Sequence, residues 1–433
     1  PFQVNGANLE IQDTLTAADK IAVSFYVTGA ATDTAITITV WNSEKTVMTA
    51  REANPTVYDL PAGNYTYTVE AKGYKKIKNQ LLTVGAAAQT VNVALTASDA
   101  WEGDSVVPTK VGDVYQITSG AELKGFADLV NGEEPGAKGI LTKNITLNEP
   151  GDYAQKWTPM GASSSAAFTG DFDGNGKTIS GLNPVGELIS GKYRGAGLFG
   201  YVYTGGTVKN VTVEGAMKAE WNCGGVVAYL AGGRVENCVN RMNITPRSES
   251  IYLYYVGGVV GYMTNYTDNS AVIIGCRNEG SIDGGTTGEN VGGVVGGASN
   301  SPGISNCANT GNISGKASIG GIAATASIPI TACYNTGKIT GASSKIGGIV
   351  GYSSSKVTNC YNTGAVAGAG KAGYKGVPEG VGGIAGQLYN SSNGAVAACL
   401  NSGTVTSEIY GGALVGSKNA VAAAVSGSYA LAG

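Results

Sequence analysis

The chain has 433 residues, of which 68 are glycine and only 14% are charged, well below the usual share of ~25%. With 42% hydrophobic residues it can bury a core, and its length points to more than one domain. It has no histidine, which excludes Ser-His-Asp and Cys-His catalysis and the HExxH zinc proteases, and its net charge of −3 argues against nucleic acid as a partner.

Pro1-Phe2-Gln3 opens no basic and then apolar leader, and no apolar run reaches membrane-spanning length, so the chain reads as soluble and as a mature or trimmed segment. Up to about residue 97, alternating runs predict strands over Ile21 to Val27, Ala35 to Trp41, Tyr65 to Glu70, Lys76 to Val84 and Thr90 to Leu95. Tyr58-Asp59-Leu60-Pro61-Ala62-Gly63-Asn64 predicts a tight turn, because Pro61 presets φ and Gly63 tolerates positive φ. With Tyr65-Thr66-Tyr67-Thr68-Val69-Glu70-Ala71-Lys72-Gly73-Tyr74, this stretch resembles the PEGA and carboxypeptidase-regulatory modules of bacterial surface proteins. The resemblance covers roughly residues 34 to 97. It implies a small antiparallel β-sandwich that spaces and presents other domains.

From residue 98 the pattern changes. Ser119-Gly120-Ala121-Glu122 forms a capping box, followed by Leu123, Phe126, Ala127, Leu129 and Val130 at helical spacing and closed by Asn131-Gly132. That predicts a short amphipathic helix. Beyond it, runs such as Ile140 to Leu147 and Thr207 to Val213 predict strands.

A degenerate repeat then dominates. Gly-Gly pairs stand at 224-225, 257-258, 292-293, 320-321, 347-348, 382-383 and 411-412. Between them run Cys238, Cys276, Cys307, Cys333, Cys360 and Cys399, each with asparagine two residues later, Asn240 through Asn401. Three residues before and six after each cysteine stand apolar residues, such as Ile330 and Ile339 around Cys333, while Lys338 and Thr340 alternate outward. A unit of this size with glycine-marked corners fits one coil of a parallel β-helix, in which equivalent residues stack about 4.8 Å apart. The cysteines then form a buried column of free thiols and the asparagines a column of mutually bonded amides, while longer units carry loops. Cys223 lies outside that column as a small buried residue. With no CxxC pair and no histidine, neither a metal nor another cofactor is expected.

Upstream stand Trp157-Thr158-Pro159-Met160-Gly161, Phe168-Thr169-Gly170-Asp171-Phe172-Asp173-Gly174-Asn175-Gly176-Lys177-Thr178-Ile179-Ser180-Gly181-Leu182, Gly197-Leu198-Phe199-Gly200 and Gly205-Gly206-Thr207-Val208-Lys209-Asn210-Val211. With the Gly-Gly repeats, these resemble the GLUG-type repeats of bacterial surface proteins over about residues 112 to 420. The resemblance implies a right-handed parallel β-helix and no single function. Asp171 to Gly176 also mimics a calcium loop, but position twelve is Leu182 rather than an acid, so a glycine-rich corner is expected.

Carbohydrate cleavage usually takes paired carboxylates. The one acidic concentration after Cys223 is Glu279, Asp283 and Glu289, and the positions equivalent to Asp283 are Ser314, Thr340, Ala367 and Thr406, so no acidic ladder forms. Tyrosines compete with that idea: Tyr252, Tyr254, Tyr255, Tyr262 and Tyr266 crowd one repeat, and Tyr334 and Tyr361 fall on neighbouring coils with rings outward. Tyr252, Tyr254, Tyr334 and Tyr361 are the expected ligand-binding residues, and no catalytic residue is expected. The whole reads as an all-β protein: a small antiparallel β-sandwich over residues 1-97, then a capping helix and right-handed parallel β-helix of roughly eight turns over 98-433. The expected role is a non-catalytic one at the bacterial cell surface, in adhesion to host or environmental glycans or surface proteins. A polysaccharide-cleaving β-helix and a purely structural stalk are the alternatives.

Overall fold

The structure, a computed structural model, describes residues 19–189, 192–247, 253–265, 270–373, 376–389, 395–418 and 424–431. The chain divides into two compact units, Pro1–Asp99 and Ala100–Gly433.

In the first unit seven strands are described: β1 (Lys20–Thr28), β2 (Ile36–Asn42), β3 (Val47–Arg51), β4 (Thr56–Pro61), β5 (Gly63–Ala71), β6 (Ile77–Val84) and β7 (Gln89–Ala94). They form a three-stranded sheet, β4-β1-β7, and a four-stranded sheet, β3-β2-β5-β6. Phe25, Ile38, Val40, Leu60 and Val69 are fully buried in its core, and the Phe25 ring meets Tyr58 and Tyr67 edge-on at 5.9 and 5.1 Å. The five expected runs are β1, β2, β5, β6 and β7. Two features differ from expectation. Tyr58 to Pro61 belongs to β4, so the turn shrinks to Ala62, and Gly63 sits at φ +159°, nearly extended. And β1 pairs β7 in parallel, so the sandwich is not wholly antiparallel.

The second unit opens with helix α1 (Gly120–Asn131), whose Leu123, Phe126, Ala127 and Val130 are buried. Ser119 Oγ accepts from the Glu122 N–H at 3.2 Å, as a capping box requires, but the Glu122 carboxylate reaches the Thr118 N–H at 2.6 Å rather than that of Ser119. Phe126 packs on Tyr115 and Phe172, so the helix closes the first coils.

From there parallel strands stack coil on coil. The coil over residues 317–341 shows the five strand positions in order: Ala317–Gly320, Ala323–Ala326, Ile330–Thr331, Tyr334–Asn335 and Ile339–Gly341. The second position stacks eight strands deep and the third belongs to a twelve-stranded sheet. The second unit is therefore a parallel β-helix. The runs Ile140 to Leu147 and Thr207 to Val213 each break at a corner, into Lys138–Leu141 with Ile145–Thr146 and Thr207–Lys209 with Thr212–Ala219.

Stacking converts the repeat into columns. Asn335 Nδ2 donates to Asn362 Oδ1 at 2.7 Å and to the Gly337 carbonyl at 2.8 Å, while its Oδ1 accepts from Asn309 at 2.7 Å. The same bonds run from Asn240 to Asn401, every amide buried. Glycine follows from this close approach: a Cβ on Gly321 would stand 2.2 Å from the Gly348 carbonyl oxygen and 2.6 Å from Asn335 Cγ. The last pair departs from the expected register. Gly411 pairs Val381 and Gly412 pairs Gly382, so the stacked pair there is Gly412-Ala413.

The ladder cysteines are buried free thiols, each within 3.2–3.4 Å of the carbonyl two residues back. Burial raises the pKa of Cys238 and Cys276 well above the ordinary range and pushes Cys223, outside the column, up to about 11. The residue before each ladder cysteine turns the chain through the left-handed region: Asn237, Gly275, Asn306, Ala332, Asn359 and Ala398 lie at φ +50° to +67°.

Candidate functional site

The outward column of the second strand position decides where the β-helix surface is flat and where it is cut. Strand register aligns Tyr201, Tyr229 and Tyr262 on successive coils, then Gly297, Thr325 and Tyr352. Two small residues interrupt a tyrosine column, so a groove opens there, with a volume of about 790 Å³. That is within the range of small-molecule sites.

Tyr254, Tyr255 and Tyr262 wall one end and Tyr352 and Tyr389 the other, over a floor that includes Ala298, Ser299, Thr325, Ala326 and Ser327. Tyr255 takes φ +57°, a left-handed conformation that is uncommon for a bulky residue. This aims its ring across the coil: a Cβ on Gly297 would lie 2.5 Å from it, and its centroid is 4.5 Å from that of Tyr262 and 4.2 Å from that of Tyr254. The Tyr262 hydroxyl is 3.0 Å from Ser299 Oγ. Burial raises the pKa of Tyr255 and of Tyr352, so both phenols stay neutral donors at physiological pH.

At the far end, antiparallel strands Lys371–Ala372 and Pro378–Glu379 bring Val377 and Glu379 to the rim. Glu379 bonds Ser344 Oγ at 2.8 Å and pairs with Lys345 at 2.9 Å and Lys371 at 3.4 Å. Partial burial pushes its carboxyl upward, but Lys345, Ser344 and Lys371 hold it below the ordinary range. Lys345 also stands over the Tyr352 ring, 5.6 Å from its centroid. Glu289, the second carboxylate on the groove, pairs with Lys316 at 3.0 Å. Register sets Ala317 after Glu289 in its column, then Ser344 and Glu379. The two carboxylates thus start three coils apart, about 14 Å along the axis at the usual strand spacing.

Of the residues expected to bind ligand, Tyr254 lines this groove. Tyr334 and Tyr361 do not. Their rings stack at 4.9 Å with planes 2° apart on the fourth strand position, where Tyr361 is 41% exposed and Leu400 and Tyr429 continue the column. They form a separate flat ledge. Tyr252 and Tyr266 lie outside the described residues. Glu279, Asp283 and Glu289 do not gather: Glu279 is held by Arg241 and Arg277, Asp283 accepts from Ser314 Oγ and the Gly285 N–H, and Glu289 faces the groove. Sequence reasoning did not single out Gly297, Thr325, Tyr352 or Tyr389. The signal was present: five residues after the first glycine of successive pairs stand Tyr229, Tyr262, Gly297, Thr325 and Tyr352. Among the described residues no group of three or more Cys, Asp or Glu is placed to hold a metal ion, and no helix is long and apolar enough to cross a membrane.

No protein-family model matches the chain. It is 24% identical to halomucin of Haloquadratum walsbyi over 265 residues, which is 57% of this chain and 3% of halomucin, so it spans a small fraction of that relative's length. Among solved structures it is similar to a Bacteroides ovatus protein provisionally named an immunoglobulin A1 protease, with 19% identity, 77% of each chain covered and a TM-score of 0.36.

Proposed function

We propose that this chain is a non-catalytic, glycan-binding protein displayed outside the cell, in which the β-helix holds a carbohydrate site rigidly for adhesion. The observation that carries this reading is the groove closed by tyrosines at both ends, with serine, threonine, asparagine and glutamine side chains between them. Aromatic faces suit the apolar side of a pyranose, and hydroxyls and amides suit its polar rim. The Tyr334–Tyr361 ledge is a second, shallower platform for the same class of ligand.

Binding is favoured over hydrolysis because the groove's two carboxylates stand on strands three coils apart and are each engaged by lysine rather than by one another. The resemblance of the repeats to GLUG-type surface proteins, and the similarity to halomucin, support a place outside the cell. A glycan array on the purified chain tests the reading, run beside a reducing-end and unsaturated-product assay on the same polysaccharides. Binding without product is the expected result; product release would replace adhesion with catalysis, and no binding to any glycan would leave a structural stalk.

A further inference from the structure

The tyrosine column does not stop at the groove. Tyr201, Tyr229 and Tyr262 stack along the axis with ring centroids 5.6 and 5.5 Å apart and planes tilted 38° and 41°, and Tyr255 extends them by a further 4.5 Å. All four rings are half-buried, each showing part of its surface. Past the groove the series resumes at Tyr352, with Tyr389 6.0 Å away. Tyr201 and Tyr352 lie five coils apart in one register, about 24 Å along the axis.

We propose that the ligand is a neutral, extended β-linked polysaccharide lying parallel to the β-helix axis, with about one sugar per coil from Tyr201 to Tyr352. This deepens the glycan reading of the groove and rests on it. The repeat is what points to a chain. The strand spacing of about 4.8 Å is close to the advance of one pyranose in an extended glycan, so successive sugars fall on successive coils: over Tyr201, Tyr229 and Tyr262, across the Gly297 and Thr325 coils of the groove, and onto Tyr352. A terminal or branched sugar would fill the groove and would not reach Tyr201 and Tyr229, which continue the column beyond it. Charge selects the class: Glu289 and Glu379 are each paired with lysine, so neither carboxylate offers uncompensated charge to a uronate or an amine.

The test is calorimetric titration with β-1,4- and β-1,3-linked gluco-oligosaccharides from disaccharide to octasaccharide. In at least one series, affinity is expected to tighten about tenfold between the disaccharide and the hexasaccharide and then level off. Replacing Tyr201→Ala together with Tyr229→Ala is expected to move the plateau from the hexasaccharide to the tetrasaccharide that the four coils from Tyr262 to Tyr352 would hold, with a thermal melt showing that the variant folds. Affinity independent of length, or a plateau that stays at the hexasaccharide in the double variant, would overturn the axial track and leave the groove as a glycan site. No binding in either series would also overturn the proposed ligand, while the glycan array decides separately whether the groove binds sugars.

Discussion

Asn335 shows how single residues hold this fold. Its amide is fully buried and bonded to Asn309, Asn362 and the Gly337 carbonyl, so truncation removes three buried hydrogen bonds. Asn335→Ala is expected to cost about 3 kcal/mol, read as a lowered urea midpoint with an unchanged slope; a loss under about 1 kcal/mol would mean the amide column is incidental. Ala332 presents the opposite case. It occupies a left-handed corner at φ +53° between Asn306 and Asn359, which take the same conformation one coil away on either side. Ala332→Asn should therefore stabilise by about 0.5–1 kcal/mol, since asparagine tolerates this region better; thermal melting checks it. The thiols report the same burial through pH. The folded pKa of Cys223 is raised to about 11, so its contribution is complete below the unfolded thiol value of about 8.5 and is lost as pH rises from there through about 11. All seven cysteines should resist a thiol reagent at neutral pH until denaturant is added, and rapid labelling of the native chain would contradict that burial.

At the scale of elements, helix α1 closes the first coils, whose parallel strands would otherwise present an open end. Ser119→Ala should cost about 1 kcal/mol by removing the cap, and Phe126→Ala about 3–5 kcal/mol by emptying the contact with Tyr115 and Phe172. A Phe126→Ala midpoint equal to wild type would show that the helix merely decorates the end. This helix was legible because its signals are local: one capping box and one apolar stripe. The columns were legible because every coil meets the same constraint, so Cys, Asn and Gly-Gly recur at the same offsets. Elements without a repeated constraint were harder to read. The second half of β4 reads as a turn because Pro61 ends it and Gly63 follows, although Tyr58 and Leu60 alternate into the core. The shift of the final pair to Gly412-Ala413 is hidden in the sequence because Gly411 completes a Gly-Gly pair one residue early. The left-handed corners were masked by Ala332 and Ala398, which break the series of asparagine and glycine.

At the scale of the whole molecule, a parallel β-helix turns short-range sequence differences into a surface read along its axis. A groove then opens where columns change, as at Gly297 and Thr325, and such a change is visible only once register aligns residues roughly thirty positions apart. For that reason the sequence points to Tyr254, which lines the groove, yet not to the groove that unites Tyr255 with Tyr352. The most direct measurement of the account is glycan-array binding by the wild-type chain and by a Tyr255→Ala, Tyr352→Ala variant, with thermal melts of both. The account predicts that wild type binds and that the variant, equally folded, loses affinity by about tenfold or more, while Tyr334→Ala with Tyr361→Ala loses less. A variant that melts like wild type and binds glycans equally well would contradict the assignment of the groove.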